Sequence, residues 1–136
     1  MTQSIQQQRA AYALQQVMAV KQSQSDSVQK RFKAYSNSLP AMIQMNGIGQ
    51  ALAFAYHKSS GEKDENKGWK ALLDTVSTWL LQHEIWGKQA TGANVVQVLS
   101  GGTQKQYQLA QAEAQALLSW VKDFARAEIA GVAAED

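Results

Sequence analysis

One proline in 136 residues, Pro40, leaves the chain free to run in long helices, and it stands at the head of the most informative stretch. Residues 39–56 read LPAMIQMNGIGQALAFAY, with Met42, Met45, Gly49, Leu52 and Tyr56 recurring at steps of three and four. That spacing is one face of an α-helix. Proline suits a helix's first turn, where a missing N–H costs nothing, and it disfavours helical geometry at the residue before it. The chain is therefore expected to turn at Leu39 and to run as one central helix over residues 40–58. Gly47 and Gly49 each weaken such a helix by roughly 1 kcal/mol relative to alanine. A helix that keeps them gains from close approach by another helix. The alternative is a break at Asn46-Gly47; the apolar stripe keeps phase across the glycines and favours continuity.

The other segments follow the same period. A first helix over 3–22 carries Ala10, Ala13, Leu14, Val17 and Val20 on one face. Residues 23–27 are the connection, with Asp26 and Gln29 spaced as a capping box. A second helix over 27–38 turns Val28, Phe32, Tyr35 and Leu39 inward, and Lys30, Lys33 and Asn37 the opposite way, with Arg31 on the flank. Residues 59–68 are polar and form a loop; Glu62, Asp64 and Glu65 there are placed to cap a fourth helix over 68–86. Trp69, Leu72, Leu73, Val76, Leu80 and His83 share that helix's face, with Trp79 beside them. Gly87 and Gly92 bracket a break. Residues 93–99 are rich in β-branched side chains but have no second strand to pair with, so a short helix is expected. A last helix over 103–130 carries Tyr107, Ala110, Ala114, Leu117, Val121 and Phe124, widened by Leu118 and Trp120. The sum is an all-α single domain spanning 1–136, a bundle of five to six helices, long enough to bury roughly two-thirds of its unfolded surface.

Composition narrows the chemistry. With no cysteine there is neither a disulfide framework nor a thiolate metal site. No apolar run reaches the ~20 residues of a membrane span, and the first residues are too polar for a signal peptide; a cytoplasmic protein is expected. His83-Glu84 lacks the second histidine of a helical zinc motif. Gly47-x-Gly49 has no third glycine and no preceding strand, and no glycine-rich loop ends in Gly-Lys-Ser/Thr. The four tryptophans read as core and interface residues, since base stacking needs an exposed ring beside a basic groove. No catalytic residue, cofactor or metal ligand is assigned, and a nuclease using His57 or His83 is a remote alternative.

The charge is more telling than its net +2. Residues 1–58 hold Arg9, Lys21, Lys30, Arg31, Lys33 and Lys58 against the single acid Asp26. A basic half on a near-neutral chain suits an anionic partner, or simply a solvated face.

Two motifs carry a resemblance. Leu39-Pro40-Ala41-Met42-Ile43, then Asn46-Gly47-Ile48-Gly49, then Leu52-Ala53-Phe54 resemble the Leu-Pro-x-Met-Ile, Asn-Gly-Leu-Gly and Leu-Ala-Phe pattern of the small subunit of the CRISPR type III-B effector, the RNA-targeting Cmr complex. Tyr107, Glu113, Ala114, Leu117, Leu118, Ser119, Trp120 and Val121 are similar to that family's C-terminal Tyr…Glu-Ala…Leu-Leu-Asn-Trp-Leu pattern, and Arg9-Ala10 with Ala13 to its opening Arg-Ala-x-x-Ala. Ile48, Ser119 and Val121 depart mildly, and residues 84–102 have no counterpart. The resemblance implies a non-catalytic helical subunit whose copies stack as an inner filament beside the subunits that hold the guide RNA, with target RNA in the channel between. Its partners would be other effector subunits, further copies of itself, and guide and target RNA. Guide–target pairing supplies sequence specificity, so backbone contacts suffice. Lys30, Arg31 and Lys33, backed by Arg9, Lys21 and Lys58, are the candidate RNA contacts, on charge and helical phase alone. A protein-only adaptor without RNA contact is the alternative.

Overall fold

In a computed structural model, which describes residues 2–82 and 95–131, the described chain is six helices and no strand: α1 Ile5–Ser23, α2 Asp26–Asn46, α3 Ile48–Lys58, α4 Asp64–Gln82, α5 Val95–Gly101 and α6 Gln104–Glu128. The all-α expectation holds. His83, Trp86, Gly87, Gly92 and the start of the expected short helix lie outside the described residues; α5 is helical from Val95 on.

Pairings across the bundle give the helix directions. Arg9 meets Glu113 and Lys21 meets Glu128, so α1 and α6 run the same way. Lys33 reaches Ile129 and Gly131 while Ile48 reaches Gln111, so α2 runs against α6. α4 begins beside Arg31 and Tyr35 of α2, where Gly68 packs, and ends near Glu113, which Trp79 bonds. At the centre of the core Val17, Phe32, Leu39, Ile43, Leu52, Leu72, Leu80, Leu117 and Leu118 are closed to solvent, as is Ser36, whose hydroxyl donates to the Lys33 carbonyl.

Three expectations about helix ends are corrected. The chain does not turn at Leu39: α2 passes through Pro40 and continues to Asn46. Proline inside a helix costs about 3 kcal/mol, but turning there would expose Leu39 and Ile43, both at 0 %. Burying two such side chains contributes about 1.5–3 kcal/mol each, enough to keep the helix. The Pro40 carbonyl meanwhile accepts from Gln115 Nε2 at 2.9 Å.

The central helix over 40–58 is likewise not continuous. Gly47 adopts φ 85°, ψ 158° and separates α2 from α3. The stripe holds only in part: Leu52 is buried, but Met45, in α2 before the break, is 82 % exposed and Tyr56, after it, 51 %, while α3 turns Ile48, Ala51 and Ala55 inward. Helical phase carries no meaning across a residue with positive φ.

The first connection is capped by Ser25, not Asp26. The Ser25 hydroxyl accepts from Val28 N at 3.3 Å, and Gln29 instead donates to the Lys21 and Gln24 carbonyls. Asp26 and, in α4, Asp64 and Glu65 lie in first turns, where the helix dipole favours them.

Candidate nucleic-acid interface

Five of the six candidate bases are carried to one end of the bundle. Lys21 lies in the last turn of α1, Lys30, Arg31 and Lys33 in the first turns of α2, and Lys58 closes α3. The turn at Gln24 joins the first two groups. The third is joined through Asn66, whose side-chain amide donates to the Lys58 carbonyl at 2.6 Å just before Gly68 packs on Arg31.

Within that end the bases fall into two sets. Lys21 and Lys30 border an open depression of about 380 Å³ together with Asp26, Gln29, Glu128 and the chain beyond α6. Lys21 Nζ lies 3.3 Å from Glu128 Oε2, both side chains well exposed, a pair of little energetic weight. Lys33 Nζ donates to the Ile129 and Gly131 carbonyls at 2.8 Å each. One turn on, Asn37 Oδ1 accepts from Arg126 Nη2 at 2.7 Å. The strip of Lys30, Lys33 and Asn37 therefore runs along the seam between α2 and α6. Arg126 is a base of this strip that sequence reasoning missed, because nothing local to α6 shows which helix it faces.

The second set flanks aromatic rings. Tyr35 stacks on Trp69 at 4.2 Å, Phe54 meets Trp69 edge-on at 5.4 Å, and Lys58 Nζ stands 5.7 Å from the Phe54 ring centroid. Arg31 Nη1 reaches the Tyr35 hydroxyl at 3.5 Å. Trp69 is buried, as expected of a core ring.

Arg9 stands apart from the other five. Its Nε and Nη2 donate to the two carboxylate oxygens of Glu113 at 2.6 and 2.9 Å, with only 14 % and 8 % of the two side chains exposed. Trp79 Nε1 donates to the same carboxylate at 3.0 Å. The hydrogen bonds it donates to Glu113 hold the Arg9 guanidinium more firmly protonated than usual, against the opposing pull of burial. Tyr12 packs on Trp79 at 5.0 Å and donates to the Thr75 carbonyl at 2.6 Å. Arg9 thus ties α1 to α6 and α4. Arg9 and Glu113 both belong to the motifs quoted above, but only the bundle brings them together.

Among the described residues, no three His, Cys, Asp or Glu side chains come together as a metal cage, and no helix is long and apolar enough to cross a membrane.

Fold and site together define a small all-α protein, tied internally by a buried ion pair, with most of its early bases gathered at one end. The sequence model of the family described as CRISPR-associated protein (Cas_Cmr5) matches residues 5–128, from the start of α1 to the end of α6. The chain belongs to that family, the small subunits of the CRISPR type III-B Cmr complex, and its partners include other Cmr subunits.

Proposed function

We propose that this subunit is non-catalytic, stacks with further copies of itself as the inner filament of the Cmr complex, and touches the guide and target RNA backbone through its basic end. The observation that carries this reading is the convergence of Lys21, Lys30, Arg31, Lys33 and Lys58 on one end of the bundle. Base pairing already reads the target, so such a face needs only ammonium and guanidinium groups within reach of phosphate. Few phosphates are engaged per copy, and binding by the free subunit is weak and salt-sensitive.

The test is a reconstituted complex carrying Lys21→Ala, Lys30→Ala and Lys33→Ala in every copy. Occupancy by target RNA is expected to fall at low salt, and its dependence on salt to become shallower, because fewer phosphates are engaged. Unchanged occupancy across the salt range would favour a second reading, the protein-only adaptor. That reading draws on Arg9 and Lys33, whose donors are already engaged by Glu113 and by the Ile129 and Gly131 carbonyls.

A further inference from the structure

The chain does not leave the bundle when α6 ends. Ile129 is 2 % exposed and anchors in the core. Its carbonyl and that of Gly131 accept from the same Lys33 ammonium. Gly131 adopts φ 78°, and a Cβ placed on it would lie 3.1 Å from Lys30 Cε. Residues Ile129–Gly131 therefore lie across the two lysines at the centre of the basic strip. An ammonium has three donors, and two of those on Lys33 are spent on this segment.

We propose that Ile129–Gly131 is a strap that competes with RNA phosphate for Lys33 and shields Lys30, so that RNA engages this end only by lifting the segment. The inference rests on the RNA reading above and adds regulation to it. The Lys33 ammonium already makes its bonds to the strap charge-assisted, but a carbonyl carries only a partial charge where a phosphate carries a full one, so the Coulomb attraction to phosphate is the stronger. Phosphate can therefore displace the strap, but with an affinity reduced by the work of doing so.

Gly131→Pro forces φ to about −65°, which the observed turn cannot accommodate, while leaving Ile129 in the core. Gly131→Val, disfavoured at positive φ but keeping its N–H, is a milder second variant. Both are assayed as full chains against a 30-nucleotide oligouridine at increasing salt, beside the wild type and a Lys30→Ala/Lys33→Ala double variant. Thermal unfolding confirms that each is folded. Lifting the strap is expected to tighten binding about three- to tenfold across the salt range, with the slope of log K against log salt unchanged, because the bound state contacts the same phosphates and only the work of displacing the strap is removed. Adding Lys30→Ala and Lys33→Ala together to Gly131→Pro should abolish the gain. If both Gly131 variants bind no tighter than wild type while the double lysine variant binds more weakly, the strap is refuted and the RNA face stands. If the double lysine variant binds like wild type, the RNA face fails and takes the strap with it.

Discussion

The Gly49 amide donates to the Tyr107 hydroxyl at 2.8 Å, across the joint where α2 ends and α3 begins. Beside it, Ile48 N donates to Gln111 Oε1 at 3.1 Å. Breaking a helix leaves the first amides of the next one without partners. Here two side chains of α6, four residues apart, take two of them. The break at Gly47 is thus specified from outside, and it is what sends α3 back toward the basic end.

Tyr107→Phe removes that acceptor and should cost about 1–2 kcal/mol, a fall of roughly 3–6 °C in unfolding temperature for a chain of this size. Gly47→Ala should cost at least as much. It combines a positive φ that alanine resists, about 1–2 kcal/mol, with a Cβ 2.8 Å from the Tyr107 hydroxyl. Because that hydroxyl is what the new methyl would strike, the double variant should lose less than the sum of the singles. Additive losses in denaturant unfolding would show the two sites to be independent.

Glu113→Gln removes the counter-charge of the part-buried Arg9 guanidinium while keeping one accepting oxygen, and should destabilise by about 1–3 kcal/mol. Arg9→Met combined with Glu113→Met should recover part of the loss, since no charge is then left unpaired. Trp79 fluorescence, reporting on the indole that bonds Glu113, should change in the single variant. Unfolding curves overlaying the wild type would remove the pair from the account of stability.

Burial pushes the Tyr12 phenol up to about 12, against the lowering effect of a hydrogen bond with Thr78, with Asp74 adding to the rise. The folded state therefore keeps this proton at pH values where the unfolded chain, with a phenol near 10, has lost it. Stability from this group is fully present below pH 10 and is lost as pH rises toward 12. Tyr12→Phe should flatten the alkaline fall in unfolding temperature over that window. Parallel curves for the two proteins would contradict it.

Much of this was open to reading from the chain. Val28, Phe32 and Leu39 in α2, and Ala110, Ala114, Leu117 and Val121 in α6, are buried as their spacing required, because amphipathic period is a local property. The passage of α2 through Pro40 was not legible, and the break at Gly47 could be read only as the alternative to a continuous helix. Proline's cost is local, but the burial of Leu39 and Ile43 that outweighs it is not, and Gly47 breaks the helix because Tyr107 and Gln111 receive the exposed amides. The motif residues Asn46-Gly47-Ile48-Gly49 and Tyr107 lie far apart in sequence, and only the bundle shows that they form one joint. The same holds for the bases. Lys30 and Lys33 were singled out by charge and phase, whereas their place against the end of α6, the commitment of Arg9 to Glu113 and the alignment of Arg126 with Asn37 depend on how α1 and α2 pack on α6.

The central claim is that the end of the bundle formed by α1, α2 and α6 is the side that meets RNA. The most direct measurement is photo-cross-linking in the assembled Cmr complex, using target RNA with 4-thiouridine at successive positions and mapping the cross-linked peptides. Cross-links are expected within residues 21–37, around Lys58 and within residues 122–131 of this subunit. Cross-links confined to the opposite end, around the Asn46–Gly49 joint and Tyr107, or none to this subunit at all, would contradict the account.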